Sequence, residues 1–493
     1  MKNIFVILTL LLLMTSINIY AKKIKELKIS ENNRFLIHQN GQKFFPVADT
    51  AWKIAWKLNR NDVEKYLQIR LDQKFNTIAI VAFPMDEMVT NVYGKHPFEI
   101  KNGKYNPLKP AIKNYKNKYD YWNHLDFVIN AATEKGLYVV LLPAWGSRVA
   151  GDYGSGHPSP QIIFNEKNAY QYTKWLSHHF KKYKNIIWML GGDRNAVYGK
   201  YDYRNVFNAM AKGLIDGSEK QPLISYHPQK WAPNSSEWFH NEKWLSFNSV
   251  QDQPSDQIKA IELDYNLKPV KPTWLFEGGY EKRGEDEKMY NDWHVRFQAY
   301  QTVFAGGFGY TYGHMDIWHF SNKIPKLDEK NVATKKITEW EKSLHDPGAN
   351  DMRHLLKLMT LWNNKQFLER IPDQSLLDGD KGKMTGWEGQ ISSCIQATRG
   401  SKGDYAMIYS ANGNNFRVKM NILAGKKMDA YWFNPRNGKW NVNGKEFDEQ
   451  KPFKKNIPSG AKAPVQEFDP PGKTADGNDW ILVLKKSDSK SSK

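Results

Sequence analysis

Between residues 43 and 314 the chain alternates short apolar runs with stretches of helical spacing. The runs fall at 44–48, 77–83, 138–142, 186–190, 223–226, 245–248, 274–276 and 308–312. Each run is continuous rather than alternating, which is the pattern of a strand buried on both faces of a parallel sheet. After the first run, a capping signal at Asn61-Asp62-Val63-Glu64 precedes Val63, Tyr66, Leu67, Leu71 and Phe75 at helical spacing. Tyr121, Leu125, Val128, Ile129 and Ala132 repeat the pattern and are closed by Gly136; Ala169, Thr173, Leu176 and Phe180 repeat it again. Eight strands alternating with helices predict an α/β fold, a (β/α)8 TIM barrel, whose usual size is ~250 residues. A doubly wound sheet is the runner-up, but the chain has no early glycine-rich phosphate loop.

A helical bridge follows at 351–361. From about residue 385 the grammar changes. Short strands at 406–409, 416–420, 429–433 and 480–484 are separated by Asn412-Gly413 and Asn437-Gly438 turns, which predicts a small antiparallel β-sandwich. The expected layout is a signal peptide over 1–21, the barrel with its bridge over 22–380, the sandwich over 381–486 and a disordered Ser/Lys-rich tail over 487–493. The leader has a basic start, an apolar stretch from Ile4 to Met14 and Ile19-Tyr20-Ala21 before Lys22. It is too short and wrongly flanked for a spanning helix, and no later run reaches the ~20 apolar residues that a membrane span needs. The protein is therefore expected to be exported, periplasmic or secreted.

Cys394 is the only cysteine, so no intramolecular disulfide and no cysteine metal site can form. The net charge of +19 is spread along the chain, without a basic block, helix-turn-helix or RNA-binding sheet motif, so nucleic acid is not an expected partner. For an exported protein an acidic glycan is the better reading, beside that of a lysine-rich solvated surface. The 18 Trp, 25 Tyr and 24 Phe fit a carbohydrate partner, because sugar C–H faces pack on aromatic rings, though most must serve the core.

Barrel chemistry sits at strand C-termini. There the sequence offers Asp49 and Trp52 (first strand), Trp145 and Arg148 (third), Asp193 and Asn195 (fourth), His227 (fifth), Gln251 and Asp252 (sixth), Glu277 and Tyr280 (seventh), and His314 and Trp318 (eighth). The fourth run is the most pointed: Ile186-Ile187-Trp188-Met189-Leu190 leads into Gly191-Gly192 and then Asp193. Gly-Gly-Asp is good turn chemistry anywhere, but Asp193 and Glu277 each adjoin paired glycines, on strands that face each other across a barrel mouth. Two carboxylates so placed are what glycoside hydrolysis needs: one protonated to donate to the leaving oxygen, one ionised to attack carbon or activate water. The acid should have a raised pKa, from burial against Trp145 or from the Glu277 charge. Asp49, Trp52, Trp145, Arg148, Asn195, His227, Tyr280, His314 and Trp318 are the candidate sugar contacts, with Arg148 suited to a substrate carboxylate or sulfate, or to a structural ion pair.

Other chemistries lack their residues. There is no Walker lysine loop, His-Glu-x-x-His or Gly-x-Ser-x-Gly elbow, and His178-His179 has no matching ligand spacing. No cofactor or metal is expected.

These residues carry a resemblance. Strand-4 acid and strand-7 nucleophile is the arrangement of clan A glycoside hydrolases. More closely, Asp49-Thr50-Ala51-Trp52, Pro143-Ala144-Trp145-Gly146, the segment 188–195, Phe276-Glu277-Gly278-Gly279-Tyr280 and the segment 305–314 resemble the apiosidase-like family, glycoside hydrolase family 140. The run Tyr431-Trp432-Phe433-Asn434-Pro435-Arg436-Asn437-Gly438 resembles the collagen-binding domain usually appended to it. The resemblance implies a (β/α)8 hydrolase with Asp193 as acid/base and Glu277 as nucleophile, and apiose in branched pectin as substrate. Here Asp stands where clan A usually has Glu after Asn. Three rivals stay open: a polysaccharide lyase, a non-catalytic glycan-binding protein, and a glycosidase for another sugar such as xylose, rhamnose or arabinose.

Overall fold

The structure, a computed structural model, describes residues 24–85, 88–112, 119–230, 234–251, 257–284, 289–321, 340–382 and 393–487. The expected leader, the end of the tail and Asp252 lie outside the described residues. Eight parallel strands carry the first domain: β1 (Val47–Thr50), β2 (Thr77–Val81), β3 (Tyr138–Leu142), β4 (Ile186–Gly191), β5 (Ile224–His227), β6 (Asn248–Gln251), β7 (Thr273–Glu277) and β8 (Tyr310–Tyr312). They pair in the order β5-β4-β3-β2-β1-β8-β7-β6. A parallel bridge between Ile224 and Leu245 and a 2.8 Å bond from the Ser246 N–H to the Ile224 carbonyl join the two edges, closing the barrel. The apolar pattern puts the sixth strand at 245–248; its ladder runs from Asn248, and Leu245 makes only the closing bridge.

The apolar runs are continuous because strands such as β2, β3 and β5 are buried at every position. Helices α1 (Arg60–Asp72), α2 (Tyr121–Glu134), α3 (Glu166–His179), α4 (Arg204–Gly217), α5 (Gln257–Asn266) and α6 (Asp292–Phe304) lie between the strands in sequence. The cap of α1 is Asn59 rather than Asn61: its side chain accepts from the Asp62 N–H at 3.0 Å, so the helix starts two residues earlier than its apolar spacing suggests. Gly136, at φ 76°, follows the end of α2 in the left-handed conformation that glycine adopts freely. No described helix is long and apolar enough to cross a membrane.

Helix α7 (Pro347–Met359) bridges to the second domain. That domain packs an eight-stranded antiparallel sheet, centred on Tyr405–Ser410, Trp480–Lys486 and Lys427–Phe433, with a three-stranded sheet of Leu377–Asp378, Phe416–Lys419 and Val465–Phe468. The edge strand Arg370–Pro372, ahead of the expected boundary at 381, pairs with Ile395–Gly400 and is too short to stand out in the apolar pattern. Strand alternation divides the larger sheet's side chains. Ala406, Ile408, Leu482 and Leu484 fill the sandwich, whereas Tyr405, Met407, Tyr409, Ile481 and Val483 belong to one continuous core with the barrel.

Candidate active site

The turn after β4 explains the paired glycines. Gly191, Gly192 and Asp193 take φ of 80°, 106° and 54° in succession, a left-handed path that glycine adopts freely and Asp tolerates. Space is closed as well: a Cβ on Gly191 would stand 2.3 Å from the His227 carbonyl oxygen, and one on Gly192 2.9 Å from the Gly146 nitrogen. The Gly192 N–H donates to the His227 carbonyl at 3.0 Å, and the Gly192 carbonyl accepts from the Gly146 N–H at 3.2 Å. The turn is therefore clamped between the ends of β3 and β5.

His227 joins the two carboxylate-bearing segments. Its Nδ1 accepts from the Asp193 backbone N–H at 3.2 Å, and its Nε2 meets Glu277 Oε2 at 2.6 Å. The ring is fully buried, against Trp52, Trp145 and Phe276 at centroid distances of 5.9, 6.0 and 5.3 Å. Nδ1 also lies 2.8 Å from the Pro228 carbonyl. A neutral ring carrying its proton on Nε2 accepts from Asp193 and donates to Glu277; an imidazolium donates to Pro228 instead. Burial opposes the charged ring, but the hydrogen bond and charge of Glu277, with Asp193 and the Pro228 carbonyl, lift its pKa above the ordinary histidine value.

Asp193 keeps a quarter of its side chain exposed, while its Oδ1 is buried without a partner. Burial first, and the Glu277 charge second, push its pKa up to about 6, against the opposing pull of His227, Arg194 and Lys230. Both causes expected from the sequence thus act together. The Glu277 side chain is 11% exposed, and the Tyr280 hydroxyl, which accepts from the Trp52 indole N–H at 2.8 Å, lies against it.

The other candidates divide. Trp145, Tyr280, Asn195 and Trp318 stay near the mouth. Trp145 packs on Gly192 and edge-on to Trp52 at 5.4 Å, Asn195 takes a 2.9 Å bond from its own N–H to the Tyr198 hydroxyl, and the half-buried Trp318 lies under Lys53 Nζ at 5.1 Å. Trp52, 1% exposed, is a wall of the cage around His227 rather than an open platform. Three candidates are turned away from sugar. Asp49 is fully buried on α1, its Oδ2 taking Arg70 Nε at 2.6 Å and the Tyr66 hydroxyl at 2.5 Å, because the strand alternation that puts Ala48 inside the barrel puts Asp49 outside. Arg148 is buried over Phe83 at 5.0 Å and donates through Nε to the Pro84 carbonyl at 3.0 Å. His314 is buried, with Nε2 on Asp346 Oδ2 at 2.8 Å and Nδ1 accepting from the Asp316 N–H at 3.0 Å. His227, bound on both nitrogens, serves the carboxylates instead of a sugar hydroxyl.

Sequence reasoning missed the loop residues around Asp193. Tyr153 sits over Arg194 and Lys230 at 5.3 and 5.9 Å, and Tyr198 donates to Gln229 Oε1 at 2.7 Å. The Asp193 and Glu277 charges reach Lys230, whose pKa burial and Arg283 hold down. The signal available was the run Gly151-Asp152-Tyr153-Gly154-Ser155-Gly156, where Gly156 lets the chain pass over the Tyr198 ring. Among the described residues no cluster of three or more His, Cys, Asp or Glu could hold a metal.

Residues 30–365 match the model of the family described as "Apiosidase-like, catalytic domain", and residues 371–485 that of a "Putative collagen-binding domain of a collagenase". A search of curated proteins finds no match. Among solved structures, a glycoside hydrolase family 5 protein from Bacteroides vulgatus ATCC 8482 is 28% identical, with a TM-score of 0.77 over 94% of this chain and 93% of that one. A second, titled only "Glycoside hydrolase", is also 28% identical with a TM-score of 0.77, over 94% of this chain and 97% of that one. These relatives favour a hydrolase over the lyase and binding-protein readings. The chain belongs to the apiosidase-like family and is a glycoside hydrolase.

Proposed function

We propose that this is an exported hydrolase of a plant or algal cell-wall polysaccharide, or of oligosaccharides from it, in which Asp193 is the acid/base and Glu277 the nucleophile. The observation that carries the reading is the bridge: one buried imidazole touches the Asp193 turn and the Glu277 carboxylate together. Through Nε2–H it holds the Glu277 carboxylate in one rotamer. Asp193, pushed up to about 6, keeps a proton to give to the leaving oxygen at mildly acidic pH. Protonated Asp193 gives its proton to the leaving oxygen as Glu277 attacks the anomeric carbon and forms a glycosyl ester; the Asp193 carboxylate then takes a proton from a water whose oxygen attacks the same carbon, breaking the ester and freeing Glu277. Trp145, Tyr280, Asn195 and Trp318 hold the sugar. Apiose, implied by the family, is the first sugar to test.

The pH profile tests the acid. Its role requires the protonated form, so kcat/KM should fall tenfold per pH unit above about 6, and Asp193→Asn should remove that limb. A wild-type profile flat from pH 5 to 8 contradicts the assignment.

His227 gives a second test. His227→Ala removes the donor to Glu277 and should lower kcat about 10²-fold with KM little changed, and His227→Gln, whose amide can donate from a similar place, should recover part of it. Steady-state kinetics on the two variants decide it; a rise in KM alone would return His227 to the sugar.

Arg194, Lys230 and Arg283 bring positive charge to the carboxylates' surroundings, which favours an acidic substrate. Hydrolysis of uronate-rich chains should then weaken as salt rises, and that of neutral chains should not.

A further inference from the structure

Helix α6 has no solvent face. Every residue from Trp293 to Phe304 is buried, although the segment carries His294, Arg296, Gln298, Gln301 and Thr302 among its apolar residues. A barrel helix ordinarily turns a polar stripe to water. Here α7 and the sandwich cover it, and both supply polar partners, with Asp292 of the helix itself also on Arg296 Nη1 at 2.5 Å. Arg296 Nε reaches Asp479 at 2.9 Å, and Nη1 reaches Asp351 of α7 at 2.6 Å. The Trp293 indole N–H donates to the Ala411 carbonyl at 2.7 Å. Tyr300 stacks on Tyr409 at 5.2 Å, and the Tyr409 hydroxyl donates to Asp479 at 3.1 Å. Just past the helix, Arg370 of the sandwich donates to the Gly307 carbonyl at 2.7 Å.

The opposite side of α6 holds the turn after Glu277. Gln298 Oε1 accepts the Gly279 N–H at 2.6 Å, and Gln298 Nε2 donates to the Gly279 carbonyl at 3.3 Å. A Cβ on Gly278 would stand 2.7 Å from Gln298 Oε1, and one on Gly279 2.3 Å from the Tyr290 ring, so the paired glycines let this turn close down on the helix. Arg296 and Gln298 are two residues apart, which on a 3.6-residue helix turns them ~200° from each other. One grips the sandwich while the other grips the turn.

We propose that the C-terminal sandwich is a positioning element of the active site: Asp479 fixes Arg296, and through the rigid helix Gln298 fixes the Gly278-Gly279 turn that aims Glu277. The catalytic half of this statement rests on the reading of Glu277 as nucleophile; the mechanical half does not.

Hydrogen exchange on the full chain tests the mechanical half without any substrate. Three variants suit: Asp479→Asn keeps the shape of the side chain, Trp293→Phe loses one N–H and keeps a ring, and Gln298→Ala cuts the turn directly. Gln298→Ala and Asp479→Asn should each speed exchange in a peptide spanning 273–283 by about 10-fold or more, Trp293→Phe by less, with strand β3 unchanged. If Asp479→Asn fails to fold, Trp293→Phe carries the comparison. Gln298→Ala opening the turn while both sandwich-side variants leave it at the wild-type rate overturns the proposal. On a glycan that the wild type hydrolyses, Asp479→Asn should lower kcat about 10-fold with KM unchanged. A lowered unfolding midpoint, with kcat and exchange both at wild-type values, marks a merely structural contact and overturns it too. Glu277→Gln retaining full activity would sink the nucleophile reading instead, leaving exchange to decide the brace.

Discussion

Replacing Glu277 with Gln should lower kcat/KM about 10³-fold or more on every substrate, whereas replacing Asp193 with Asn should do so only where the leaving group needs a proton. The asymmetry follows from the two roles. Glu277 meets the anomeric carbon in each turnover, so no aglycone compensates for its loss. Asp193 supplies a proton, and an activated aryl leaving group departs without one. A nitrophenyl glycoside of the sugar that the enzyme accepts should therefore be cleaved by Asp193→Asn far faster than the natural glycan is, relative to wild type, and Glu277→Gln should cleave neither. Each variant exchanges a carboxylate for an amide of the same shape, and an unfolding midpoint near that of wild type checks that it folds. Equal losses on both substrates for both variants would mean that the roles are misassigned, and comparing kcat/KM on the two substrates decides it.

Arg70→Leu should destabilise the protein by about 3–5 kcal/mol, the cost of leaving a buried charge without its partner, with the activity of the remaining folded enzyme little changed. Asp49 has no exposure, and Arg70 and Tyr66 are its partners on α1. Arg70 also donates through Nη1 to Gln73 Oε1 at 2.7 Å and to the Leu344 carbonyl at 3.2 Å, so it ties the first strand, its helix and the segment before α7 together. The double variant Asp49→Asn/Arg70→Leu should recover part of the loss, because the orphaned charge is gone. Denaturant unfolding of the single and double variants measures this. If Asp49 were a sugar ligand, Asp49→Asn would raise KM and leave stability alone.

That pair also shows where sequence reasoning reached and where it stopped. The barrel was legible because continuous apolar runs, repeated between helical stretches, are the mark of strands buried on both faces. The turns that carry Asp193 and Glu277 were legible because paired glycines beside a strand-end carboxylate mark a backbone that must bend tightly. Asp49 misled because proximity to a strand end carries no information on facing, and a shift of one residue along a strand reverses it. His314 and Arg148 misled for a related reason: polar groups near a barrel rim also close the gaps between strand and helix, and only the partners, Asp346 and the Pro84 carbonyl, tell the two uses apart. Tyr153, Gln229 and Lys230 went unseen because they come from loops without periodicity. The burial of α6 on all sides was not readable, because His294, Arg296, Gln298, Gln301 and Thr302 stand among its apolar residues and Asp479, which satisfies Arg296, lies 183 positions along the chain.

The measurement that bears most directly on the two-carboxylate site is reducing-sugar release from a panel of pectic, uronate-rich and sulfated polysaccharides, with wild type beside Asp193→Ala and Glu277→Ala. The account predicts release by wild type on at least one acidic cell-wall glycan and a loss of about 10³-fold or more in both variants while they remain folded. Full activity in either variant, or binding without release by wild type across the panel, would contradict it.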